Sequence, residues 1–271
     1  MPDIYGSDAF SPAEIALKVE TVGVKKARLP LLSMIMLGML AGAFISLGAM
    51  YYVMVASDPT LGFAAQRVLG GAVFSLGLLL VIVAGAELFT GNNLLAMAWA
   101  DGQISTLELL RNWVVICCSN FLGATAMALL VFFSGHTAMN HNLVAEQYLH
   151  IAAAKCSLSI TEAFLRGVLC NVLVCLAVWM AMAGRTVIDK AIAVLFPVSA
   201  FVAAGFEHSI ANFYYIPMGW LLKNAGQLPG YEVISVTGFF HNIVPVILGN
   251  LLGGSVLVGL VYHVIYRRGH P

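Results

Sequence analysis

The chain has 271 residues, of which 61% are hydrophobic and only 10% are charged, and its 13 basic and 13 acidic side chains give a formal net charge of zero. Its mean hydropathy is +0.92. Soluble domains carry about 25% charged residues, so this composition excludes a soluble globular protein and indicates an integral membrane protein surrounded by lipid. No nucleic-acid partner is expected.

The N-terminal segment, residues 1–28, predicts a short amphipathic helix on the cytoplasmic face of the membrane. Ser11 is the expected N-cap, Pro12 the first helical residue, and Glu14 completes a capping box. The helix either packs at the mouth of the bundle or acts as a plug, and the pattern leaves both open. No cleavable leader is expected, because the first ten residues contain no basic side chain. Residues 29–271 are predicted to form a single transmembrane pore domain.

Six apolar runs follow, each long enough for the roughly 20 residues that cross a bilayer as a helix. The runs are 30–55, 65–100, 113–133, 160–183, 188–222 and 236–264. Strand-sized alternating segments are absent, so the sequence predicts an all-α membrane protein with six spans.

Basic residues are unequally divided between the two sides of these spans. With the N-terminus inside, the inner side collects Lys18, Lys25, Lys26, Arg28, Arg111, Arg185, Lys190, Arg267 and Arg268. The outer side collects Arg67, Lys155, Arg166 and Lys223. The positive-inside rule therefore predicts two cytoplasmic termini, in a bacterial-type inner membrane.

The second and fifth runs are each about 35 residues long, too long for one crossing and too short for two. Each is interrupted by polar residues, GAELFTGNN at 85–93 and GFEHSIAN at 205–212. Aligned on Glu87 and Glu207, 120 positions apart, both read E-x3-small-N. The sequence predicts broken helices that resume at Asn92 and Ala211, with their N-terminal N–H groups facing a pathway.

A second repeated motif within the chain indicates a duplication. Asn112-x7-Asn120 in the third span recurs 130 positions later as Asn242-x7-Asn250. The predicted repeats are about 29–135 and 155–268, and three spans in each make them inverted copies. Paired broken spans in such copies indicate a transport pathway near the membrane centre.

Several polar side chains near the breaks have both a functional and a structural interpretation. An ionisable residue inside a span is a functional candidate, and this favours His208. Glu207, like Glu87, is interpreted as a brace that caps the resumed half-helix. Asn92 and Asn212 are interpreted as caps rather than substrate ligands.

No metal or cofactor is expected. Five cysteines include no C-x-x-C pair, and His136, His141 and His150 in the loop after the third span lack metal-site spacing. Glu207 and His208 are not accompanied by an HExxH motif or a nucleophile elbow, so an enzyme is not expected.

GAELFTGN and GFEHSIAN together resemble the paired signatures of the formate/nitrite transporter family, and CLAVWMA at 175–181 and FYYIPMG at 213–219 extend the likeness. The resemblance implies a homopentamer of aquaporin-like protomers, each with its own pore for a small monovalent anion of a weak acid. Formate is the expected substrate, and nitrite and hydrosulfide are the alternatives within the same family. The rival from another class is an aquaporin-like channel for neutral solutes, although neither break contains NPA.

The resemblance also implies the site residues. A central His208 pairs with Thr90, Lys155 lies beyond on the outer side, and Asn171 lies near Glu207. The implied outer constriction is formed by Phe74 and Phe201, and the inner one by Leu78, Leu88, Val174 and Ala211.

Overall fold

A computed structural model describes residues 9–226 and 230–268, in which every regular element is helical. Six helices are long and apolar enough to cross a membrane: Leu31–Ala56, Phe63–Gly85, Thr106–Phe133, Ile160–Ala183, Val187–Ala204 and Val236–Tyr266. The expectation of an all-α membrane protein with six spans is confirmed.

The α-helices are α1 (Pro12–Ala27), α2 (Leu31–Ala56), α3 (Phe63–Leu80), α4 (Phe89–Asn92), α5 (Ala96–Ala100), α6 (Thr106–Phe133), α7 (Leu143–Cys156), α8 (Ile160–Ala183), α9 (Val187–Ala204), α10 (Ser209–Gly226), α11 (Val236–Leu251) and α12 (Val261–Tyr266). Two π-helical stretches, Val81–Gly85 and Leu252–Leu260, extend α3 and α11, and a 3-10 turn, Asn93–Leu95, joins α4 to α5. A second 3-10 turn spans His136–Ala138.

α1 begins as the sequence predicted and packs against the bundle. Ser11 Oγ accepts the Glu14 N–H at 3.4 Å, and the Glu14 carboxylate accepts the Ser11 N–H at 2.7 Å. The apolar face of α1, including Val19, is buried in a cluster with Met97 and Trp179. Residues 1–8 of the predicted N-terminal segment lie outside the described residues.

Fully buried Glu20 adds a polar anchor to this packing. Its carboxylate accepts a hydrogen bond from Arg267 Nε at 2.6 Å, which ties α1 to the end of α12. α1 is therefore a wall of the bundle, in agreement with the packing alternative.

The breaks in the second and fifth runs are present, and the helices resume slightly earlier than predicted. The first follows Gly85, at φ +85°, and helix resumes at Phe89 rather than Asn92. The second follows Gly205, at φ +74°, and helix resumes at Ser209 rather than Ala211. Glycine accepts these left-handed conformations without the clash that a Cβ causes. The segment after the third span was predicted as a loop, but it contains α7.

Glycines bring the helices of each half into close contact. A Cβ on Gly42 would meet the backbone of Asn120 on α6, and one on Gly253 would meet the backbone of Val168 on α8. Gly38-x3-Gly42 on α2 and Gly249-x3-Gly253 at the end of α11 therefore allow close helix packing within one protomer. The α2–α6 contact in the first half matches the α8–α11 contact in the second.

Gly42→Ala should destabilise the protein, because its Cβ would collide with the Asn120 carbonyl oxygen and lie 2.8 Å from Ala124 N. Overpacking against backbone costs about 1–3 kcal/mol, so the midpoint of thermal unfolding in detergent should fall. Gly62→Ala is the matched control, since nothing lies within 4 Å of that Cβ. Equal midpoints for the two variants would contradict the close α2–α6 contact.

Candidate functional site

His208 and Thr90 meet across the two breaks. His208 lies just before α10, and its Nε2 is 2.9 Å from Thr90 Oγ1 on α4. The ring's Nδ1 accepts the Ala211 N–H at 3.2 Å. Both side chains are buried. The two side chains that the resemblance pairs are therefore in contact.

These two hydrogen bonds determine where the proton of a neutral His208 ring lies. Nδ1 accepts a backbone N–H and therefore carries no proton, so Nε2 carries it and donates to Thr90 Oγ1. The hydroxyl of Thr90 is then free to donate to another acceptor. A second proton on the ring would require Nδ1 to release Ala211.

Glu207 stands at the centre of a buried polar cluster. Its Oε1 is 2.9 Å from Lys155 Nζ, and its Oε2 accepts from Asn212 Nδ2 at 2.7 Å and Asn242 Nδ2 at 3.2 Å. Asn242 also donates to the Lys155 carbonyl at 2.9 Å. The four side chains lock the end of α7 onto the break before α10, as a brace does.

The first half contains the same cluster at the other break. Glu87 Oε1 is 3.1 Å from Lys26 Nζ, and Glu87 Oε2 accepts from Asn92 Nδ2 at 2.7 Å. Asn112 Nδ2 donates to the Lys26 carbonyl at 3.1 Å. Lys26 also donates to Asn92 Oδ1 at 2.9 Å.

Lys26 is the site residue that sequence reasoning missed. It lies 129 positions before Lys155, and each lysine ends a helix that precedes the first span of its half. The sequence contains this repeated lysine, but Lys26 lies outside the six apolar runs. α1 and α7 thus hold corresponding positions, each ahead of the first span of its half.

Capping of the resumed helices differs from the prediction. Asn120 Oδ1 accepts the Phe89 N–H at 2.9 Å, and Asn250 Oδ1 accepts the Ser209 N–H at 3.0 Å. The interpretation of Glu87 and Glu207 as caps was therefore wrong, although their bracing contacts are present.

The caps come from neighbouring spans because the carboxylates are already held by lysine and asparagine. Asn92 and Asn212 are likewise not caps, since each donates to the acid of its own half.

Asn171 lies beside Thr90 rather than beside Glu207. Its Nδ2 is 2.7 Å from Asn93 Oδ1, 2.7 Å from the Asn250 carbonyl and 3.3 Å from the Thr90 carbonyl. It is connected to Glu207 through Asn250, whose side chain donates to the Glu207 carbonyl at 3.0 Å. Asn171 thus joins α8 to both breaks.

Two cavities approach this centre from opposite ends of α8. The α1-side cavity, about 400 Å³, is bordered by Lys26, Glu87 and Met182. The α7-side cavity, about 260 Å³, is bordered by Lys155, Arg166 and His208. The cavities share no lining residue.

The predicted constriction residues all belong to one buried apolar cluster: Phe74, Leu78, Leu88, Val174, Phe201 and Ala211. Phe74 and Phe201 contact each other edge to face at 5.9 Å between ring centroids, and Phe201 lies 5.8 Å from the His208 ring.

Five of these six residues border one cavity or the other. Phe74 and Phe201 border the α7-side cavity, whereas Leu78 and Leu88 border the α1-side cavity. Ala211, expected in the inner constriction, borders the α7-side cavity instead. Val174 borders neither. A solute moving between the cavities would have to pass an apolar barrier that holds one imidazole.

Comparisons with known proteins identify the family of this chain and similar solved structures. A model of the formate/nitrite transporter family matches residues 13–264. The chain is 38% identical over 273 residues to the formate channel FocA of Escherichia coli (strain K12), covering 96% of each chain. It is similar to a solved FNT family ion channel, with a TM-score of 0.83, 30% identity, and coverage of 93% of this chain and 98% of that one. A pentameric formate channel with formate bound aligns with a TM-score of 0.79 and 33% identity, over 87% of this chain and 97% of that one.

Glu207→Gln should destabilise the protein, because it removes the charge that faces a nearly buried Lys155 ammonium. Breaking a buried ion pair from one side costs about 3 kcal/mol. The matched control is Glu162→Gln, whose partner Arg166 is 3.5 Å away on the surface, and it should cost less than about 1 kcal/mol. Thermal unfolding in detergent measures both.

The double variant Lys155→Met/Glu207→Gln should recover part of the loss, since no unpaired charge remains. If Glu207→Gln and Glu162→Gln unfold at the same temperature, the Lys155–Glu207 pair is not a brace.

Proposed function

Because this chain belongs to the formate/nitrite transporter family, as its two break motifs predicted, we propose that it is a channel for formate, a small monovalent weak-acid anion. The observation that carries the proposal is the buried His208–Thr90 pair between two lysine-bearing cavities. The formate channel of Escherichia coli and the formate-bound pentamer support the substrate.

The same relatives support the assembly. We propose a homopentamer of aquaporin-like protomers in a bacterial-type inner membrane, each protomer with its own pore. The excess of basic residues on the α1 side supports two cytoplasmic termini and a cytoplasmic segment at residues 1–28, ahead of a pore domain at 29–271. In this orientation the α1-side cavity opens to the cytoplasm.

Entry of the anion is favoured by one lysine at each end. Lys155 and Lys26 are each paired with a glutamate, yet an ammonium has three donors, and its remaining N–H groups can meet a carboxylate. Both lysines border their cavity. An anion can therefore approach the apolar barrier from either end.

Crossing the barrier is easier for the neutral acid than for the anion. Moving an intact ion into an apolar interior costs at least several kcal/mol even after relaxation. Protonating a carboxylate whose pKa is about 3.9 costs roughly 4 kcal/mol at pH 7, at 1.36 kcal/mol per unit. Protonation is therefore competitive, and transport is linked to a proton.

The His208–Thr90 pair lies where that proton is exchanged. The Nε2–H of His208 donates to Thr90 Oγ1, so the Thr90 hydroxyl can donate to the anion at the barrier. A proton from cavity water reaches the ring at Nδ1 when Nδ1 releases the Ala211 N–H. The Nε2 proton then passes to Oγ1 as the hydroxyl proton passes to the carboxylate, which leaves a neutral acid and a neutral ring protonated at Nδ1. The ring returns to its starting form when Nδ1 loses that proton to water, Nε2 gains one, and Nδ1 again accepts the Ala211 N–H.

The substrate is tested by flux into proteoliposomes containing the purified protein. Labelled formate should enter, and excess unlabelled formate should compete more strongly than nitrite or hydrosulfide. Water or glycerol permeation without any anion flux would refute the anion channel and favour a neutral-solute channel. Uptake of nitrite or hydrosulfide in preference to formate would refute the substrate but not the channel.

The role of His208 is tested by the pH dependence of formate uptake. Uptake by the wild type should rise as pH falls, because a lower pH supplies more protons to the anion at the barrier. His208→Asn should transport at least about tenfold more slowly, the loss expected when a proton-transfer group is removed, with a flatter pH profile. His150→Asn, at an exposed position on α7, should behave as wild type.

Thr90 provides a matched pair for the same assay. Thr90→Ser keeps the hydroxyl and should retain transport and its pH dependence, whereas isosteric Thr90→Val should resemble His208→Asn. An unchanged pH profile in His208→Asn would remove His208 from the proton step.

A further inference from the structure

The α1-side cavity carries more positive charge than a single small anion requires. Lys26 lies in its wall and is paired with Glu87 at 3.1 Å. Lys18 on α1 and Lys190 on α9 also border the cavity. Within residues 9–226 and 230–268, neither Lys18 nor Lys190 has a carboxylate within 4.0 Å of its ammonium. Two cations from different helices thus face one space without a counter-charge.

A third cation, Arg185, lies near Lys18 but outside the cavity lining, and the two share contacts with the Phe10 ring. Lys18 Nζ lies 4.3 Å from the centroid of the Phe10 ring, and Arg185 Cζ lies 4.1 Å from it. Lys18 also donates to the carbonyl of Met182 at 3.1 Å. The Phe10 ring therefore contacts two cations, one of which, Lys18, borders the cavity and is tied to the end of α8.

The acidic groups nearby are committed elsewhere. The Asp189 carboxylate accepts the backbone N–H of Thr186 at 2.8 Å and of Arg185 at 3.0 Å, so it caps α9. The Glu14 carboxylate accepts from Ser11 in the capping box of α1. Among the described residues, neither carboxylate lies within 4.0 Å of a side-chain nitrogen of Lys18, Lys190 or Arg185, although the charge of Arg185 lowers the pKa of Glu14.

Repulsion among these three cations is visible at Lys18. Burial lowers the pKa of the Lys18 ammonium, and the nearby Lys190 and Arg185 lower it further. Lys18 lies on α1, outside the six spans. A bound anion would relieve this repulsion.

The size of the cavity favours an anion larger than the transported one. Its volume is about 400 Å³, whereas one water molecule occupies about 30 Å³ and formate has only three heavy atoms. One carboxylate cannot neutralise cations on separate helices. Phosphate groups offer several charged oxygens, and lysine and arginine are the side chains that proteins use to bind them.

We propose that Lys18, Lys190 and Arg185 form a binding site for a phosphate-bearing polyvalent anion at the rim of the α1-side cavity. A bound anion there covers the entrance and slows transport, and this second statement rests on the proposed function. The occupant is either a soluble phosphate compound or the phosphate headgroup of an anionic lipid.

Binding is tested first, without any transport measurement. Pyrophosphate is titrated into the purified full-length protein in neutral detergent at constant ionic strength, and its heat of binding is measured. The wild type should bind it, and Lys18→Gln/Lys190→Gln should bind at least about tenfold more weakly, a difference of about 1.4 kcal/mol. Lys25→Gln, at an exposed α1 position outside the cavity lining, should bind like the wild type.

Absence of pyrophosphate binding in the wild type overturns the proposal. Equal binding by the double variant overturns it as well, and so does an equal loss in Lys25→Gln, which would indicate general charge attraction. Nanodiscs distinguish the two sources. If the headgroup is the occupant, pyrophosphate binds in phosphatidylcholine discs and is displaced in phosphatidylglycerol discs. If a soluble compound is the occupant, both discs bind it equally.

Transport then tests the consequence of binding. Pyrophosphate on the α1 side of proteoliposomes should slow formate flux severalfold in wild type, should have no effect from the α7 side, and should have no effect on the double variant. If pyrophosphate binds but does not slow formate flux, the statement that a bound anion blocks transport is overturned, whereas the binding site itself stands. A protein that binds pyrophosphate but carries no formate refutes the proposed function instead.

Discussion

A helix interrupted inside a bilayer must find hydrogen-bond partners for its freed backbone groups, because lipid supplies none. This chain meets that constraint twice with the same side chain. Asn120 and Asn250 each accept the first N–H of the resumed helix, and each donates to the carbonyl of the glutamate in the break. Each also donates to a glycine carbonyl on the first span of its half. One amide thus holds three segments together, and the pathway depends on it.

Around this symmetric frame, the chemistry is asymmetric. The lysine, glutamate and two asparagines of each brace are the same in both halves, so either end can receive an anion. When the two break motifs are aligned at their separation of 120 positions, Thr90 corresponds to Ile210, and His208 corresponds to Leu88. The two polar side chains therefore meet each other across the breaks, while their counterparts are apolar. A single exchangeable pair within an apolar barrier suits a channel that passes a weak acid in its neutral form.

Much of the architecture could be predicted because a bilayer constrains the length and the composition of the segments that cross it. Membrane spans can be recognised from the length and hydropathy of apolar runs. An acid beside an imidazole within such a run indicates a functional centre. The start of each resumed helix was misplaced by two or three residues, because the cap comes from a span that is distant in sequence. Lys26 was missed since it lies on α1, which was interpreted as a separate amphipathic segment rather than as the partner of α7.

By itself, the sequence determined the lipid surroundings, the number of spans and the positions of the two polar interruptions, since each depends on composition or on spacing along the chain. Only the tertiary structure decided which groups meet: Lys26 with Glu87, Asn171 with Thr90, and the Ala211 N–H with His208 Nδ1. These contacts depend on side-chain directions and on close packing between helices that are far apart in sequence. No local sequence pattern predicts such contacts. The position of the His208 proton follows from the contact between the Ala211 N–H and Nδ1.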